Sequence, residues 1–141
     1  PGRAESNAKT HADKAATIES AIAQDLANAL GMAQIAQRFV PFVVMHEFEA
    51  LLFSDCAAFA SGIDRPELSA DFQSIRNSFA TPEHINDSPI TAPSKRVEAL
   101  IPGYEKPLLG VLAALEIGLD TMRQECPHFS DWLGRLEQFA R

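Results

Sequence analysis

The stretch Phe39–Phe53, FVPFVVMHEFEALLF, constrains the fold more than any other part of the chain. It opens as a run of β-branched and aromatic residues, switches to His-Glu-Phe-Glu, and continues with apolar residues at helical spacing. That pattern predicts a buried strand handing over to a helix. Pro41 donates no ladder hydrogen bond, so the strand is expected at a sheet edge or pairing only after that residue. Charged residues just past a buried strand lie where open α/β sheets place their chemistry, which makes His46, Glu47 and Glu49 site candidates.

The flanking sequence reads as helix. Ile18, Ile22, Leu26 and Leu30 recur at i+4 between Ala15 and Leu30, and Gly31 is the expected stop. Ser54 and Asp55 offer an N-cap to CAAFAS, which Gly62 closes, and Pro66 fits the first turn of a helix bearing Leu68, Phe72, Ile75 and Phe79. The segment from Ala80 to Pro93 holds three prolines with Asn86 and Asp87 as turn formers, so it is expected to be irregular. Helices are then predicted from about Ala92 to Leu100, from Tyr104 to a break at Gly118, from Leu119 to Cys126, and after Pro127. The stripes Leu108–Leu115 and Phe129–Phe139 are expected to be core. A stripe left exposed would instead mark a surface for a partner or a second copy.

These elements predict a helix-rich α/β fold with one clear strand and about six helices. A lone strand cannot satisfy its own backbone groups, so its partners are expected in a further, N-terminal portion of the protein. The opening Pro1-Gly2 fits the same expectation.

Bulk properties narrow the function classes. With 141 residues, 46% hydrophobic and 22% charged, the chain suits a single ordinary globular domain over residues 1–141. No apolar run approaches the roughly 20 residues needed to span a bilayer, and the first residues lack a signal-peptide centre, so a cytoplasmic protein with no membrane partner is expected. The net charge of −7 argues against wrapping nucleic acid by bulk electrostatics. An acidic site bridged to phosphate by metal ions stays compatible with it. Cys56 and Cys126 form no C-x-x-C motif and read as reduced core thiols.

Each charged candidate has a chemical role and a structural one. On a helix, Glu47 and Glu49 would stand about 200° apart and could not face one metal. With the backbone still extended at His46, one carboxylate would point to the sheet end and only that one would matter, as a metal ligand or a general base. The structural role is a favourable meeting of first-turn carboxylates with the helix dipole. His46 is a ligand or proton shuttle, or a hydrogen-bonded structural residue. Ser94, Lys95 and Arg96 fall in the first turn of a predicted helix, where free N–H groups and cations suit a phosphate, although cations there oppose the dipole. His84 and His128 read as structural, Tyr104 as a half-buried packing residue and Trp132 as core.

Four ordered blocks, RFVPFVVMHEFEALLFSD, PEHINDSPITAPSKR, PGYEKPLLG and CPHFSDWLGRLE, run from Arg38 to Glu137. They resemble the bacterial family known as domain of unknown function 4276, whose members are similar to the Toprim domains of topoisomerases, primases and overcoming-lysogenization-defect nucleases. The resemblance implies that this chain is the C-terminal part of a Toprim-like domain. The acidic motifs that hold magnesium in such domains are absent from it, and the chain alone is expected to be inactive. In the parent, Glu47 or Glu49 would complete a Mg2+ or Mn2+ site, with His46 and Lys95 in the catalytic group and Ser94, Lys95 and Arg96 on the scissile phosphate. The implied function is a metal-dependent nuclease component of a phage-defence system acting on nucleic acid. The alternative is a non-enzymatic helical module that docks to a partner ATPase, and a homo-oligomer is also compatible. The enzyme reading expects His46, Glu49 and Lys95 to converge on a polar cleft. The docking reading expects an exposed apolar patch with scattered charges.

Overall fold

A computed structural model of the protein describes residues 1–6, 10–86 and 90–139. Asp87, one of the expected turn formers, lies outside them. The chain forms two compact units, one of residues 1–45 with 131–141 and the other of residues 46–130.

In the first unit, helix α1 (Arg3–Ser6) is followed by α2 (His11–Leu30). Thr10 caps α2 by accepting from the Asp13 N–H at 3.3 Å. Gly31 ends it with φ of 64°, a left-handed conformation that a residue with a Cβ adopts at a cost. A single 3-10 turn, Ile35–Gln37, leads into the segment expected to be a strand.

That expectation is overturned. Among the described residues there is no strand, and the fold is all-helical rather than α/β. Residues 39–44 carry no regular structure, and their backbone groups are held by side chains instead of a ladder. The Val43 N–H donates to Glu19 Oε1 at 2.9 Å, and Trp132 Nε1 donates to the Val40 carbonyl at 3.2 Å. Pro41 has no N–H to offer, and Phe42 stacks on Trp132 with ring centroids 4.7 Å apart. Glu19 and Trp132 thus satisfy groups that a neighbouring strand would otherwise have to satisfy.

The second unit contains α3 (Glu49–Leu52), α4 (Cys56–Gly62), α5 (Ser69–Arg76), α6 (Pro93–Leu100), α7 (Lys106–Ile117) and α8 (Leu119–Glu125). Two further 3-10 turns, Pro66–Leu68 and Pro82–His84, precede α5 and α6. Asp55 caps α4 by accepting from the N–H groups of Ala57 and Ala58. Three fully buried rings form the centre of the core. Phe59 stacks on Phe72 at 4.3 Å, while Phe53 meets both edge-on at 5.5 and 5.8 Å. Each such ring stabilises the fold by about 1.5–3 kcal/mol through burial. Around them close Leu52, Ile85, Val97, Ala113 and Cys126.

Helix α4 packs on α7 through Gly62. A Cβ at that position would lie 2.9 Å from Ala113 Cα and 3.0 Å from the Leu112 carbonyl, so only glycine allows the approach. Helix α9 (Pro127–Phe139) starts in the second unit, where Glu83 accepts from the N–H groups of His128 and Phe129 at 3.0 and 2.9 Å.

The apolar stripes are core only in part: Leu109 and Phe129 are partly buried and pack against it, but most of their neighbours do not. On α7 the buried face carries Gly110, Ala113 and Ile117, whereas Leu108, Val111, Leu112 and Leu115 are exposed, from 41% at Leu112 to 75% at Leu115. Periodicity on α7 is nearly apolar all round, and the smaller residues won the interior because α4 comes so close. In α9, Leu136 and Phe139 are exposed and Trp132 is half-buried. Tyr104, expected to be half-buried, is buried at 7% exposure.

Candidate functional site

The His-Glu-Phe-Glu turn does assemble a charged cluster from Glu47 and Glu49, but with a cation the sequence does not suggest, Lys106. Glu47 precedes α3, and Glu49 is its first residue. The two carboxylates are therefore not on one helical wheel, and both reach the same cation. Lys106 Nζ lies 3.6 Å from Glu47 Oε1 and 3.4 Å from Glu49 Oε1. Glu49 is buried at 5% exposure, so its charge depends on that ammonium more than the half-exposed Glu47 does.

Glu47 has a second task. Helix α6 begins with Ala92 and Pro93, neither of which can cap it by side chain, and Glu47 Oε2 accepts from the Ser94 N–H at 2.8 Å. Burial works to raise the Glu47 pKa. The Ser94 hydrogen bonds and the Lys106 charge outweigh it and hold the carboxyl below its ordinary value. The first turns of α3, α6 and α7 thus share one carboxylate pair, and Lys106, which alone would oppose the dipole of α7, is compensated by it.

Of the remaining candidates only Ser94 touches the pair, through its backbone N–H. Lys95 is exposed and pairs with Glu98 Oε2 at 2.6 Å on its own helix, and that contact raises its pKa. Arg96 donates from Nε to the Thr91 carbonyl at 2.8 Å, reaches Asn86 Oδ1 at 3.4 Å and lies 5.2 Å over the Phe79 ring. It therefore ties the irregular segment to α6. Ser94 is buried, and its backbone N–H is the one taken by Glu47. His46 is half-buried next to Glu47 in sequence.

Two neighbours escaped sequence reasoning. Lys106 was legible in principle, because a lysine in a first turn needs a carboxylate to offset the dipole. Tyr104 was not. Its hydroxyl is buried without a hydrogen-bond partner, 3.4 Å from where a Gly110 Cβ would sit. Burial first, and the Glu49 charge second, push its pKa up to about 12.

The fit to a divalent ion follows from these contacts. Mg2+ is commonly held by one or two carboxylates and retains several waters. Here the two carboxylates converge, yet the cation between them is Lys106, and a metal ion would have to displace it. Among the described residues no group of three or more His, Cys, Asp or Glu is placed to hold a metal ion. As arranged, the pair does not fit a resident metal.

Fold and cluster together define an all-helical protein of the described residues, with a lysine-neutralised carboxylate pair and an exposed apolar helix face. The chain belongs to the family described as Domain of unknown function (DUF4276), whose model matches residues 4–137. No curated protein and no solved structure was found to match it. None of the described helices is long and apolar enough to cross a membrane.

Proposed function

We propose that the chain is an interaction module that docks to a partner protein through the outer face of α7, with an ATPase as the partner class. The observation that carries the reading is the row Leu108, Val111, Leu112 and Leu115, exposed on a helix whose opposite face is packed. Apolar surface of that kind, gathered on one helix face rather than scattered, is the mark of a protein–protein contact. The charged candidates support it by what they do in the fold: Glu47 caps α6, Lys106 neutralises the pair, and Lys95 pairs along its own helix. The ATPase as partner rests on the family resemblance.

The test is co-purification of the full chain with a candidate partner ATPase, comparing wild type, Leu115→Asp and Glu49→Gln. Retention by wild type and Glu49→Gln with loss in Leu115→Asp is the expected result. Retention that is indifferent to Leu115→Asp would overturn the surface assignment.

A second reading, a Mg2+- or Mn2+-dependent nuclease component of phage defence, draws on the convergence of Glu47 and Glu49 on a single cation. It requires metal to replace Lys106. Metal-dependent plasmid nicking by the full-length parent that Glu49→Gln and Lys95→Ala both abolish, with the fold intact by circular dichroism, would favour it over docking.

A further inference from the structure

We infer that the partner segment received by α7 is a basic amphipathic helix; the inference rests on the docking reading and deepens it. The spacing of Leu108, Leu112 and Leu115 is four then three residues, the seam on which two helices pack side by side, with Val111 widening it on one flank. The seam covers about 10 Å of helix axis, two turns, which suits the i, i+3, i+4, i+7 anchors of a docked helix.

Charge selects the partner's sign. Glu116 falls on one flank of the seam, about 80° around the axis from Leu108 at 100° per residue, and Glu105, the N-cap residue just ahead of α7, has its Cα on the same flank at about 60°. Both are exposed, as is Asp120 just beyond the C-terminal end. No cation on α7 offsets them. Lys106 is turned to the packed side and taken by Glu47 and Glu49. Arg123 on α8 is itself engaged. An apolar seam with a carboxylate rail along one edge favours a helix carrying Lys or Arg beside its apolar face. It disfavours a second copy of this chain, whose rail has the same sign.

The experiment titrates the full chain into two fluorescent peptides of about three heptads, both with Leu at the seam positions, one with Lys and the other with Glu at every flanking e and g position. Anisotropy is read at low salt and at about 0.5 M salt. The expected result is about tenfold tighter binding of the Lys peptide, a preference that shrinks with salt. Leu115→Asp should abolish binding of both peptides, and Glu105→Lys combined with Glu116→Lys should erase the preference; circular dichroism checks that each exposed-site variant folds. Equal affinity for both peptides, or a preference untouched by the double charge reversal, would overturn the basic-helix inference while leaving docking standing. Binding of neither peptide would also overturn it, and the ATPase co-purification would then decide separately whether docking itself fails.

Discussion

The Glu47 carboxylate sits 2.8 Å from the Ser94 N–H and completes a helix that begins 46 residues later, at Pro93. Removing that acceptor leaves a buried donor. Glu47→Ala is expected to lower unfolding free energy by about 1–2 kcal/mol in urea titrations, with Glu47→Gln losing less because it keeps an acceptor.

The same carboxylate gives the protein an acid-side signature. Its pKa is depressed in the fold, so its contribution is complete above the unfolded value of about 4.3 and is lost as pH falls through the lower folded value. Stability measured between about pH 5 and pH 3 should fall, and Glu47→Gln should flatten part of that slope. An identical slope in the variant would assign it to other groups.

Lys106 compensates Glu49, which is buried. Lys106→Ala should destabilise by about 1–2 kcal/mol, below the figure for a fully buried pair because the lysine is partly exposed. In a double-mutant cycle the loss should be largely relieved by adding Glu49→Gln, because that substitution removes the stranded charge.

Gly62→Ala forces a methyl group against the backbone of Ala113 at 2.9 Å. Backbone cannot rotate aside as a side chain can, so a loss of about 1–3 kcal/mol is expected despite the better helix propensity of alanine. Thermal unfolding that rises instead would mean that α4 and α7 separate at little cost.

Burial raises the thiols of Cys56 to about 11 and Cys126 to about 12. Both should resist alkylation near pH 8 in the native protein and react once it is unfolded in urea. Because the folded values are raised, their contribution is complete below the unfolded value of about 8.5 and is lost as pH climbs towards 11 or 12. Alkaline unfolding curves of Cys126→Ser should therefore be less steep than those of wild type.

The helix boundaries were legible because their chemistry is local. Gly31, Asp55, Pro66, Pro93, Gly118 and Pro127 each act within a turn of where they stand. The strand was misread because the propensity of FVPFVV says nothing about Glu19 and Trp132, which are 24 and 92 residues from the backbone groups they satisfy. The α7 stripe failed for a related reason: periodicity names a face but not the neighbour that covers it. At the site, Glu47 and Glu49 were found by type, while their separation depended on where α3 begins, a matter of two residues. The true cation came from Lys106, whose proximity only the packing of α3 and α7 creates.

Two helix starts, those of α6 and α9, are completed by carboxylates lying 47 and 45 residues earlier in the chain. Closing loops of that length costs on the order of 3 kcal/mol in chain entropy, more than a cap of about 1 kcal/mol returns. The caps therefore cannot bring the segments together, and the aromatic core around Phe59 and Phe72 must close first. During synthesis from the N-terminus each acceptor emerges before its donors, so α6 and α9 can be sealed as soon as they appear. A segment started after Glu83 would meet the solvent with both helix ends open.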